Sequence, residues 1–213
     1  AMVMAAMPIA LVLMFLPWQW VVSSGSYSVA IVQGNVDQAI KWDANQRQNI
    51  VNRYLTLSEN YWSADALVWP EFALTAYGAE AERVSAALNR RGRENQTNVV
   101  IGAPRVEWSV AGPDNDRQYR VFNAAVGLGL ARGFVSKHHL VPFGDYVPLQ
   151  NWLRGLIEFF DLPMSNASQG AAQQSNVALE LGGNVIEAAI GICYEIAYGN
   201  SIRQRAASAG VLM

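Results

Sequence analysis

A single cysteine, Cys193, stands in a chain of 213 residues, so no disulfide can close within it. Histidine is almost as scarce. His138 and His139 are adjacent and on a strand would point to opposite faces, and no Cys/His cluster has the spacing of a metal site. No cofactor and no metal are therefore expected. Charge is sparse as well: Asp, Glu, Lys and Arg make up 15% of the chain, against about 25% in an average soluble domain. The net charge is −2 and the Lys and Arg residues are scattered, which excludes nucleic acid as a partner. No charged residue precedes Asp37, and neither internal repeats nor low-complexity tracts occur.

What is present begins with an apolar run. Residues 1–22 are uncharged, and about 20 apolar residues cross a bilayer core. Trp18 and Trp20 stand at its far end, where an aromatic belt lies, and membrane helices tolerate prolines such as Pro8 and Pro17. A secretory signal with a cleavage region at Ser23-Ser24-Gly25-Ser26 is one rival reading. No basic residue precedes the run, however, and it is longer than the usual apolar core of a signal. A buried core helix is the other rival. The expected organisation is a transmembrane helix over 1–22, a linker over 23–27 and a catalytic domain over 28–213, long enough for one sizeable core.

Along that domain, Ser28–Gln33 reads as a first buried strand, and Asp43 caps a helix over 44–62 whose Ile50, Tyr54, Leu57 and Tyr61 share a face. Ala66–Trp69 is a short strand ended by Pro70, followed by a polar helix over 79–94 and a strand at Val99–Gly102. Residues 107–118, with Gly112-Pro113-Asp114-Asn115, read as a surface loop. Arg120–Leu130 and Gly133–His138 form two strands joined at Gly129–Arg132. The irregular stretch 140–176 encloses a short amphipathic helix, Leu149–Phe160; loops of such length are functional or mobile. Val177–Leu181 turns at Gly182-Gly183 into a strand over 184–193, then a helix over 196–209 and the start of another strand at Gly210–Met213. The order implies an α/β sandwich. A first residue that is not Met and an end on an opening strand read as a fragment.

The stretch 184–195 organises the chemistry. A strand running straight into a helix sets Cys193 at a sheet edge near the positive end of the helix dipole, which favours a thiolate. The competing reading is a lone cysteine packed as a small hydrophobe. A cysteine nucleophile needs a base and a group to hold the oxyanion. Glu71, after Leu67-Val68-Trp69-Pro70, and Lys137, after Gly133-Phe134-Val135-Ser136, occupy matching strand-end positions. Glu71 would take the thiol proton from a desolvated pocket that raises its pKa, and Lys137 would hold thiolate and oxyanion. The plainer alternatives are a helix-start carboxylate and a snorkelling surface lysine.

Trp69-Pro70-Glu71, Lys137 and Gly191-Ile192-Cys193-Tyr194-Glu195 resemble the Glu–Lys–Cys motifs of the nitrilase, or carbon–nitrogen hydrolase, superfamily. More narrowly, Val32-Gln33-Gly34-Asn35, Lys41-Trp42-Asp43, the Lys137–Gly144 string and Phe160-Asp161-Leu162-Pro163-Met164-Ser165 resemble the apolipoprotein N-acyltransferase family. The resemblance implies a nitrilase-like α-β-β-α sandwich, incomplete at the C-terminus and preceded by a transmembrane helix. It implies an enzyme of the bacterial inner membrane with its catalytic domain on the periplasmic side. A phospholipid would donate an acyl chain to Cys193, and the N-terminal amine of a diacylglyceryl-cysteine on an apolipoprotein would accept it. Glu71, Lys137 and Cys193 are the implied catalytic residues, with Tyr194, Glu195 and Asp145 in support and Trp42 near the substrate entrance. The apolar 140–165 loop suits a lipid-facing rim.

Three departures qualify the match. Asp145 stands where that family usually has the longer Glu, and Phe72-Ala73-Leu74 replaces smaller residues after Trp-Pro-Glu. The family's later strands and remaining membrane helices are not in the sequence. Two other functions stay open: a soluble nitrilase-type amidase with the same triad, and an inactive membrane-tethered binding fragment. A papain-like Cys–His hydrolase using His138 or His139 would leave Glu71 and Lys137 without roles.

Overall fold

A computed structural model describes residues 25–111, 116–146, 148 and 166–213. The helices expected over 1–22 and 149–160, and most of the 140–165 loop, lie outside the described residues. Among the described residues no helix is long and apolar enough to cross a membrane.

Two sheets form the frame. The first holds β1 (Val29–Ile31), β2 (Ala66–Trp69), β3 (Asn98–Ala111), β4 (Asp116–Gly129) and β5 (Phe134–Ser136), side by side in that order. β1, β2 and β3 are parallel, whereas β4 runs against both β3 and β5. β5 therefore points the same way as β2, and the ends of both strands meet at one edge of the sheet. The second sheet holds β6 (Val177–Leu181), β7 (Asn184–Ala189) and β8 (Val211–Leu212). The helices are α1 (Gln38–Lys41), α2 (Arg47–Ser58), α3 (Gly78–Glu94) and α4 (Gly199–Ala206).

The period-2 pattern of the central strands divides the core in two. Leu67, Trp69, Val99 and Ile101 face the helices, where they pack with Ile50, Val51, Tyr54 and Leu88. Val68 and Val100 face the second sheet, against Val177, Leu179, Leu181 and Ala188. α4 packs on β7. The layers are those of the expected α-β-β-α sandwich. One buried side chain ties its two sheets together: Asn98 donates to the Asp65 and Glu180 carbonyls at 2.8 and 2.7 Å and accepts from the Glu180 N–H at 2.8 Å.

Several expectations are corrected. β1 is an edge strand rather than a buried one, with Ile31 75% exposed, because only β2 pairs with it. The expected loop over 107–118 is largely ladder. β3 and β4 stay paired out to Ala111↔Asp116, with the Trp108 and Tyr119 rings packed at a tilt across the strands, centroids 5.5 Å apart. The strand expected to reach Cys193 ends at Ala189, and the helix expected over 196–209 is Gly199–Ala206. Between them lies a 3-10 turn, Cys193–Ala197.

Candidate active site

Glu71 sits just beyond β2, on a turn in which the Ala73 N–H donates to the Pro70 carbonyl. Phe72 follows in the left-handed region, with φ 50°. Lys137 sits just beyond β5. Its N–H donates to the Asn123 carbonyl of β4, and its own carbonyl accepts from the Gly170 N–H. Since β2 and β5 end at the same sheet edge, the two side chains meet: Lys137 Nζ lies 3.1 Å from Glu71 Oε1.

Asp145 completes the cluster, 2.7 Å from Lys137 Nζ through Oδ2, which also accepts the Val141 N–H. The one-methylene deficit against glutamate is thus absorbed by the turn that carries it, and the shorter carboxylate reaches the ammonium. Lys137 is 2% exposed and stands between two carboxylates. Burial alone would lower its pKa, but the Asp145 and Glu71 contacts overturn this and hold it above the ordinary lysine value.

Cys193 arrives from the second sheet. Its backbone is left-handed, with φ 55°, and its side chain is exposed. Such a conformation in a non-glycine residue costs about 1–3 kcal/mol and concentrates at functional sites. The thiol lies close enough to Glu71, Lys137 and the Tyr194 backbone N–H for each of them to influence its titration. Burial pushes the thiol pKa up and the Glu71 charge adds to the rise, which Lys137 and the Tyr194 N–H offset only in part. The helix-dipole expectation is overturned. α4 begins at Gly199, beyond the 3-10 turn, and the raised thiol needs a base rather than ionising by itself.

The remaining expected residues divide by role. Glu195 is buried, and its Oε1 accepts the N–H groups of His138 and His139 at 2.8 and 3.1 Å. Its Oε2 accepts the Ile192 N–H at 3.1 Å, and Arg205 pairs with the same carboxylate at 3.3 Å. One carboxylate thereby clasps the segment after Lys137 to the turn that carries Cys193. The Tyr194 ring is turned outward, 58% exposed and edge-on to Tyr198, so its contact with the nucleophile is through the backbone. Trp42 packs edge-on against Phe72 at 5.1 Å, beside Val121, Leu140 and Ala167, in an apolar patch next to Glu71.

Two residues at this site carry no sequence expectation. Asn123 donates to Glu71 Oε1 at 2.6 Å; the signal for it is one amide in the apolar run Val121-Phe122-Asn123-Ala124-Ala125. Lys41 donates to the Glu71 carbonyl at 3.0 Å, and burial lowers its pKa against the opposing pull of Glu71 and Cys193. Its signal is a cation beside Trp42 at the end of α1. Among the described residues no group of three His, Cys, Asp or Glu side chains is arranged to hold a metal ion.

An exposed thiol, a carboxylate that acts on its titration and a buried ammonium bonded to that carboxylate form an arrangement suited to acyl transfer through a thioester. The carbon–nitrogen hydrolase family model matches residues 28–212. The chain belongs to the carbon–nitrogen hydrolase family. Among curated relatives, this carbon–nitrogen hydrolase chain is 39% identical over 216 residues to an apolipoprotein N-acyltransferase of Azotobacter vinelandii, covering 96% of the chain and 40% of the relative. It is 35% identical over 185 residues to one of Vibrio parahaemolyticus, covering 83% of the chain and 34% of the relative. The chain thus spans less than half the length of these relatives. A carbon–nitrogen hydrolase of Helicobacter pylori aligns in three dimensions with a TM-score of 0.48 and 12% identity, over 87% of this chain and 58% of that one.

Proposed function

We propose that this chain is the catalytic part of an apolipoprotein N-acyltransferase held in the bacterial inner membrane, working on its periplasmic side. The reading is supported by the Glu71–Lys137 contact at 3.1 Å and by the influence that both side chains, from distant parts of the chain, exert on the Cys193 thiol.

Glu71 takes the thiol proton as Cys193 Sγ attacks the acyl ester carbonyl of a phospholipid. Two of the three Lys137 N–H groups are engaged by carboxylates, and the third, with the Tyr194 N–H, steadies the oxyanion. Collapse breaks the ester C–O bond. Glu71 returns the proton to the departing glycerol oxygen, releasing a lysophospholipid and leaving an acyl thioester. The α-amine of a diacylglyceryl-cysteine then attacks the thioester, Glu71 accepts the amine proton, and the expelled sulfur is reprotonated as the amide forms. The apolar patch of Trp42, Phe72, Val121, Leu140 and Ala167 beside Glu71 suits an acyl chain.

The test is mass spectrometry of the full-length protein incubated with phospholipid. The expected result is a hydroxylamine-labile acyl group on Cys193 that is lost when a diacylglyceryl-cysteine peptide is added and recovered on its amine. Acylation of Cys193 by small amides but never by phospholipid would overturn the reading in favour of an amidase.

A further inference from the structure

Asn123 lies in β4 with no exposed surface, beside both carboxylates of the site. Its Nδ2 is 2.6 Å from Glu71 Oε1 and 3.4 Å from Asp145 Oδ1. Its Oδ1 is buried and has no hydrogen-bond partner. The amide orientation follows from its neighbours, since turning it over would set a carbonyl oxygen against two anionic ones. An unpaired buried acceptor is unfavourable, and what accompanies it here is the donor on Glu71.

That donor falls on a particular atom. Lys137 Nζ and Asn123 Nδ2 both bind Glu71 Oε1, so Oε2 is the oxygen left to turn toward the thiol. Glu71 and Asp145 face the Lys137 ammonium from two sides, and the Lys41 ammonium donates to the Glu71 carbonyl; Asn123 is the neutral donor that the two carboxylates share. The Asn123 carbonyl also receives the Lys137 N–H at 2.7 Å, so one residue sets both partners.

We infer that Asn123 is a positioning residue for the base: its side-chain amide fixes which Glu71 oxygen faces Cys193. The inference rests on Glu71 acting as base in the reading above, but not on the phospholipid.

The test follows acylation of Cys193 in the full-length protein by p-nitrophenyl butyrate, a small activated ester, beside its alkylation by iodoacetamide at high pH, where the thiolate needs no base. The variant Asn123→Leu removes the donor and the unpaired acceptor while keeping the number of side-chain heavy atoms. Its acylation rate is expected to fall about tenfold or more, with alkylation unchanged. Asn123→Asp, nearly isosteric, replaces the donor by an acceptor, is expected to lose acylation in the same selective way, and keeps the test open if the leucine variant does not fold. Variants in which acylation and alkylation fall together, in step with thermal stability, would overturn the inference, as would variants that acylate at the wild-type rate. A wild-type enzyme unreactive toward the ester would overturn it together with the role of Glu71. Wild-type acylation by the ester but not by phospholipid would instead sink only the lipid substrate, and the Asn123 rates would still decide this point.

Discussion

A Cβ on Gly102 would lie 2.6 Å from the Glu71 Cα and 2.8 Å from the Phe72 backbone nitrogen. Glycine at this point of β3 lets the turn carrying Glu71 lie directly on the sheet, where the Leu74 N–H bonds the Gly102 carbonyl. The variant Gly102→Ala must push that turn outward and carry Glu71 away from Lys137. Misplacement by about 1 Å lowers rates about a hundredfold. Steady-state acyl transfer should fall by that order, while circular dichroism of the folded protein changes little.

The raised thiol of Cys193 gives a prediction with opposite signs for two variants. Burial lifts its pKa first and the Glu71 charge adds to it, while Lys137 opposes. The Glu71→Gln variant removes one raising influence, so the midpoint of Cys193 alkylation by iodoacetamide should move to lower pH. Lys137→Met removes the lowering influence and should move it to higher pH. Acyl transfer should be lost in both variants, by at least about a hundredfold for loss of a general base. An unchanged alkylation midpoint in Glu71→Gln would break the electrostatic link between the two side chains.

Asn98 offers a stability prediction remote from the chemistry. Asn98→Leu leaves the Glu180 carbonyl and N–H without their buried partner, while the Asp65 carbonyl keeps only the backbone N–H of residue 98. The expected loss is about 2–4 kcal/mol, read as a lower urea midpoint, with the pH dependence of Cys193 alkylation unaltered.

Glu195 joins stability to reactivity. Its pair with Arg205 is almost fully enclosed, with side chains 9% and 1% exposed for Arg205 and Glu195. Glu195→Gln strands a buried guanidinium, which costs about 3–5 kcal/mol. It also weakens the hold on the backbone of His138, His139 and Ile192. Thermal unfolding at lower temperature should accompany slower acylation of Cys193. The double variant Glu195→Gln, Arg205→Met should recover part of the stability but not the rate.

Much of this site is legible in the residues because strand ends are. Ala66–Trp69 is a strand with the expected bounds, and the apolar runs before Glu71 and Lys137 put both at the ends of strands that point the same way. The turn at Cys193 is less legible. Ile190 and Ile192 continue the apolar pattern of β7, yet the chain leaves the ladder after Ala189 because the Ile192 and Glu195 backbone atoms are taken by the 3-10 turn and the Glu195 carboxylate. The β3–β4 hairpin hides for a different reason. Its outer half is polar, and pairs such as Trp108–Tyr119 that hold it exist only once the strands are aligned. Asn123 owes its importance to Glu71 and Asp145, each more than twenty residues away, which no local pattern encodes.

The clasp made by Glu195 has a corollary for which substitutions the site tolerates. His138 and His139 are anchored to Glu195 through their backbone N–H groups, and the Ala167, Ser168 and Gly170 N–H groups are bonded to the carbonyls of Asp145, Val121 and Lys137. The main chain at 138, 139, 167 and 168 is therefore fastened by atoms that every residue type but proline supplies. Drift in the side chains there leaves the scaffold around the sulfur tethered.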